Sequence, residues 1–129
     1  MTIVGVAFLG MRITDLAAYD ATIAMYRDTL GLTVTTDDGW RSTRFVLGDG
    51  TALHVYGPDD TDHLDFGERT CIGYRVSDLI ATMEQLHAAG IELLDDPWQS
   101  DGTEAWCHIR TPDGTVHEVL GPDPTPASG

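Results

Sequence analysis

The chain is predicted to be an α+β protein made of two tandem copies of one strand–helix–strand–strand–strand module. Three observations predict this. The phrase Asp49-Gly50-Thr51, three residues, then Val55-Tyr56-Gly57-Pro58-Asp59 returns 64 residues later as Asp113-Gly114-Thr115, three residues, then Val119-Leu120-Gly121-Pro122-Asp123. The phrase Arg12-Ile13-Thr14-Asp15-Leu16 returns 63 residues later as Arg75-Val76-Ser77-Asp78-Leu79. Between these anchors, apolar periodicity switches from period two to helical spacing and back, once in each copy.

The elements follow in order. Ile3–Ile13 is apolar and β-branched and reads as a strand. Thr14 or Asp15 caps a helix over about Ala17–Leu30, with Ile23, Tyr26 and Leu30 on one face and Gly31 as its stop. Leu32–Thr36, Thr43–Leu47 and Thr51–Tyr56 are strands, and Gly48-Asp49-Gly50 turns the last two into a hairpin. The polar run from Gly57 to Glu68, with Pro58 and four Asp, reads as a linker. The order then repeats: strand Thr70–Val76, cap Asp78, a helix to Ala89 stopped by Gly90, strand Ile91–Leu94, and a hairpin of Glu104–Arg110 with Thr115–Leu120. The second copy is about four residues shorter in its helix region. It is about five longer around Asp95-Asp96-Pro97-Trp98-Gln99-Ser100, a candidate lid or rim. The modules span about 3–58 and 70–122, and the Pro-rich tail 123–129 is expected to be disordered.

A chain of 129 residues with 42% apolar residues is the size of one domain with one shared core, because sixty-residue units are marginal alone. The net charge of −14 disfavours nucleic acid and anionic membranes, which need clustered Lys and Arg, and attracts a cationic partner. No signal peptide and no apolar run near ~18 residues is evident, so a cytoplasmic protein is expected. Cys71 and Cys107 form neither a disulfide framework nor a zinc motif, and read as small buried apolar residues.

The helix run Ala21-Thr22-Ile23-Ala24-Met25-Tyr26-Arg27-Asp28-Thr29-Leu30-Gly31-Leu32 resembles the first-helix signature of the vicinal-oxygen-chelate superfamily. That superfamily holds glyoxalase I, bleomycin-resistance proteins, fosfomycin-resistance enzymes and extradiol dioxygenases. The segment Thr111-Pro112-Asp113-Gly114-Thr115-Val116-His117-Glu118-Val119 resembles its closing hairpin, and the likeness runs from about Val4 to Pro122. The resemblance implies paired βαβββ modules whose strands curl into a cupped mixed sheet, and a homodimer. In the family's metalloenzymes the metal ligands stand on the first and last strand of each module. Counted onto this chain, those positions are Phe8, His54, Cys71 and Glu118. Phe8 cannot coordinate a metal, so no metal and no cofactor is expected.

The repeat pairs Phe8 with Cys71 and His54 with Glu118 independently of the resemblance. Alternation places Ala52, Tyr56, Val116 and Leu120 on the face of His54 and Glu118, with Leu53, Val55 and Val119 opposite. It also gives that face Trp106 and His108, and Arg44 as the mate of His108. The expected ligand-binding set is therefore Phe8, Arg44, His54, Tyr56, Cys71, Trp106, His108 and Glu118. Trp40 and Trp98 lie in loops, as rim or interface candidates. His63 and His87 are expected in solvent, and His117 on the helix side. Two function classes fit. One is a metal-independent binder of an aromatic or cationic small molecule, as in antibiotic sequestration. The other is an enzyme, either a small lyase or isomerase with Glu118 as general base and His54 as its partner, or a metal-dependent glyoxalase-like catalyst.

Overall fold

The computed structural model describes residues 2–37, 41–67 and 69–125. Trp40 therefore lies outside the described residues. Two compact units emerge: Phe8–Cys71, and Met1–Ala7 with Ile72–Gly129.

In the first unit, strand β1 (Ile3–Arg12, which this unit enters at Phe8) is followed by helix α1 (Leu16–Ala24) and strands β2 (Thr33–Asp37), β3 (Ser42–Val46) and β4 (Ala52–Tyr56). Their lateral order is β2-β3-β4-β1, with β4 parallel to β1 and the other pairs antiparallel. In the second unit, β5 (Cys71–Val76) leads to helix α2 (Leu79–Ala88) and strands β6 (Glu92–Leu93), β7 (Gln99–Ser100), β8 (Glu104–Arg110) and β9 (Val116–Pro122). There the order is β5-β9-β8-β6, with β7 also on β8. Each unit is α+β with a mixed sheet.

The repeat is visible in hydrogen bonds. Asp15 Oδ2 accepts from Ala18 N at 2.8 Å and Asp78 Oδ1 from Ala81 N at 3.0 Å, each satisfying an orphan donor of a helix start. Both hairpins turn the same way. Gly50 and Gly114 sit at φ +88 and +85, a region open to glycine, and the Asp before each accepts from the Thr after it at 3.0 and 3.1 Å.

The cores lie where alternation demands. Phe45, Leu53 and Val55 bury against Tyr19 and Ile23 of α1. Ala105, Cys107, Ile109 and Val119 bury against Leu79 and Met83 of α2. Tyr19, the largest of these side chains, keeps its hydroxyl satisfied by Thr43 Oγ1 at 2.8 Å.

Several local details differ from expectation. The first helix is α-helical only to Ala24, and Met25–Thr29 is a π-helical turn in which Leu30 N reaches back to Met25 O at 2.9 Å. The stretch 95–100 is no bare lid, since it carries β7, turned onto β8 at Asp101-Gly102. Nor is the run 57–67 a slack linker. Arg12 donates to the carbonyls of Asp60, His63 and Leu64 at 3.1, 3.5 and 3.3 Å and pairs with buried Asp60 at 3.3 Å. Its guanidinium also lies over the rings of Tyr56 and Phe66. The tail keeps contacts over its first residues: β9 runs to Pro122, and Asp123 N donates to Thr103 O at 3.0 Å and its carboxylate accepts from Ser100. Residues 126–129 lie outside the described residues.

Candidate functional site

Five of the eight expected site residues belong to the first unit. β4 pairs with β1 so that His54 stands beside Gly10, and with β3 so that it stands opposite Arg44. The imidazole lies flat on the Phe8 ring, 4.5 Å between centroids and 6° between planes. Its Nδ1 is 3.0 Å from the Tyr56 hydroxyl. A Cβ on Gly10 would make only ordinary contacts, with the Phe8 and Tyr56 rings and the Cys71 carbonyl, each at 3.5 Å. Burial, then the charges of Arg44 and His63, push His54 down to about 3. At neutral pH it is an uncharged aromatic ring in a wall of Phe8, His54 and Tyr56. Cys71 is buried and forms no disulfide.

His63 was not expected in this wall. Its ring packs on Tyr56 at 4.5 Å, tilted by 36°, and it bonds Asp60 at 3.0 Å, so it is half-buried rather than in solvent. The cause is Arg12, which draws the segment holding Asp60 and His63 onto β1. A single charged residue at the end of a strand gave little sign of this.

The other three site residues belong to the second unit and meet different chemistry. β8 and β9 place His108 opposite Glu118 and Trp106 opposite Leu120. His108 Nε2 is 3.1 Å from Glu118 Oε1, and its Nδ1 is 2.7 Å from Asp95 Oδ2. That same Asp95 oxygen accepts the His108 backbone N–H at 2.7 Å, and Gln99 donates to the other at 2.7 Å. Burial opposes charge on His108, but the hydrogen bond and charge of Glu118, then those of Asp95, outweigh it and hold its pKa above the usual imidazole range. Burial works against Asp95 too, yet its hydrogen bonds from His108 and Gln99 leave its pKa lowered. Desolvation pushes the neighbouring Cys107 thiol up, which suits an inert core residue. The result is a carboxylate–imidazole–carboxylate chain ending at Glu118, which is 6% exposed. The close histidine of Glu118 is thus His108, while His54 bonds Tyr56. Asp95 was missed by sequence reasoning, although its place in the acidic five-residue insertion was a signal.

The donor set does not fit a first-row metal centre, which takes three or four protein ligands. Phe8 offers no donor, and both nitrogens of His108 are engaged by carboxylates. Among the described residues no group of three or more His, Cys, Asp or Glu is arranged to hold a metal ion.

The chain belongs to the Glyoxalase/Bleomycin resistance protein/Dioxygenase superfamily, whose family model matches residues 10–119. Among solved structures, it is similar to the methylmalonyl-CoA epimerase of Mycobacterium tuberculosis at 23% identity, covering 95% of this chain and 91% of that one, with a TM-score of 0.66. It is similar to a Streptomyces coelicolor methylmalonyl-CoA epimerase in complex with 2-nitronate-propionyl-CoA at 20% identity, with 94% and 99% covered and a TM-score of 0.66. The Mn(II)-bound glyoxalase of Novosphingobium aromaticivorans shares 19% identity over 93% of this chain and 39% of that one, with a TM-score of 0.70. At these identities the likeness concerns the fold. No curated protein matches the chain. Among the described residues no helix is long and apolar enough to cross a membrane.

Proposed function

We propose that this protein is a metal-independent small-molecule-binding member of its superfamily, which sequesters an aromatic or cationic compound such as an antibiotic. The observation that carries the reading is the parallel stack of Phe8 on His54. A metalloenzyme of this superfamily would need a donor atom at Phe8. Here the position supplies an apolar ring, only 8% exposed, packed face to face with an imidazole that is uncharged down to about pH 3. Aromatic faces of this kind hold planar ligands at low entropic cost. The net charge of −14 favours a cationic one. Both cysteines are buried and neither forms a disulfide, which suits a reducing, cytoplasmic setting. A homodimer is part of the proposal and follows from the family resemblance.

Calorimetric titration of the full chain with bleomycin and other aromatic cations tests this, together with elemental analysis and recovery of the bound compound. Unchanged compound, no stoichiometric metal, and about tenfold weaker binding in Phe8→Ala are expected, in line with the worth of an aromatic contact. Stoichiometric Zn, Mn, Ni or Fe, or a recovered product, would sink the reading.

The Asp95–His108–Glu118 chain favours a second reading, in which Glu118 exchanges a proton with the ligand in a lyase or isomerase reaction and His108 shares that proton. Its test is proton exchange with solvent into bound carbonyl compounds, lost in Glu118→Gln.

A further inference from the structure

Helix α2, the edge strand β6 and the loop before β7 enclose a groove that neither reading uses. Its volume is about 700 Å³, within the ~300–1,000 Å³ range of small-molecule sites. The floor is apolar, formed by Ile80, Met83, Leu93 and Trp98. Ile80 stays 39% exposed there, although Met83, one turn along the same helix, is buried. The rim is acidic, with Glu84 from the helix, Glu92 from the strand and Asp96 from the loop. Glu92 is partly neutralised by Arg110 at 3.1 Å. Glu84 and Asp96 have no ion-pair partner among the described residues. His87 also lines the groove, and no Lys or Arg does.

An apolar floor ringed by carboxylates selects against anions and against strongly hydrated ammonium ions. An anion meets like charge. A small hydrated cation leaves the floor without a partner and gains little from carboxylates that water already solvates. A cation whose charge is carried on a broad apolar body satisfies both parts. We propose that this groove is a second binding site, for an amphiphilic organic cation with aromatic or aliphatic bulk. It is independent of the Phe8–His54 wall, and would let the chain hold a ligand there even if that wall held none.

The test uses the full chain and two ions of nearly equal shape and opposite charge. Tetraphenylphosphonium is expected to bind in calorimetry, more weakly as salt is raised, and tetraphenylborate is not. Glu84→Gln with Asp96→Asn, both at exposed positions, is expected to weaken tetraphenylphosphonium about tenfold, the loss fitting two partly screened charges. Ile80→Lys is expected to abolish binding, and Phe8→Ala with His54→Ala to leave it unchanged. Equal binding of the two ions, or binding insensitive to the groove substitutions, overturns the proposal. So does loss of binding in the Phe8 and His54 variant, which would move the cation to that wall. A dimer in sedimentation that Ile80→Lys splits overturns it in favour of a second copy of this chain.

Discussion

At one pair of mirrored slots, β3 sets Arg44 opposite His54, and β8 sets His108 opposite Glu118. The backbone register is the same in both units, yet the titration behaviour is opposite. Burial, with the charge of Arg44 added to it, drives His54 down to about 3. Glu118 and Asp95 overcome burial and hold His108 up. Both histidines are partly withdrawn from water, so burial alone does not decide their charge. For His54 burial leads and Arg44 across the strand reinforces it, whereas for His108 the carboxylate across the strand reverses the effect of burial. One unit presents a neutral aromatic wall and the other a charged relay, on one repeated scaffold.

The largest expected contrast between the units lies at another mirrored pair, Arg12 and Arg75. Arg12 is 8% exposed in its side chain and neutralises Asp60, itself buried. Arg12→Ala strands that carboxylate and should cost about 3 kcal/mol, the lower end for breaking a buried pair because His63 remains beside it. Arg75 is 43% exposed and pairs with Glu104, so Arg75→Ala should cost about 0.5 kcal/mol. Denaturant melts of the two variants decide it, and equal losses would break the comparison.

Next come two glycines. A Cβ on Gly121 would stand 2.6 Å from the carbonyl oxygen of Val76, a backbone atom that cannot swing aside. Gly121→Ala should therefore cost about 2–3 kcal/mol, in the range of overpacked sites. Gly10→Ala meets only ordinary contacts at 3.5 Å and should stay within about 1 kcal/mol in the same melts.

A third contrast is read in protons, by following the histidine ring resonances across pH. His54 should remain uncharged until about pH 3. His108 should stay charged above 6.5, the ordinary value, and Glu118→Gln should lower its pKa more than Asp95→Asn does. The stability consequences have opposite signs. Below 6.5 the unfolded chain protonates His54 while the folded one does not, so this residue costs stability as pH falls toward 3. The stabilisation from His108 is fully present below 6.5 and is lost as pH rises through its higher folded value.

The smallest expected difference is a control. Asp15→Ala and Asp78→Ala remove equivalent helix caps and should each cost about 1 kcal/mol. A large inequality would show that the two helices are not energetically equivalent.

These contrasts also mark how far the sequence could be read. The caps, the helix stops at Gly31 and Gly90, and both hairpins were legible because each is a local device within a few residues. The faces of Leu53, Val55, Cys107 and Val119 were legible because strand alternation is strict. The π-helical turn was not, since it shifts the helical hydrogen bond by one residue without disturbing the apolar pattern. Strand β7 is only two residues long, yet Asp101-Gly102 was an available turn signal for it. The partner of His108 was the deepest gap. Asp95 is thirteen residues away in a loop, and no periodicity connects a loop carboxylate to a strand imidazole. The Arg12 contacts were hidden likewise, because they run to backbone carbonyls that every residue type supplies.

Asp95 lies in the stretch by which the second copy outgrew the first. The first copy has no counterpart to that insertion, and there the residue opposite His54 is Arg44. In evolutionary terms, a short loop insertion after duplication gives one copy a new electrostatic partner while leaving every strand register in place. A carboxylate delivered by a loop can later be lost or moved without unfolding the sheet. The chemistry of such a scaffold can thus change faster than its fold.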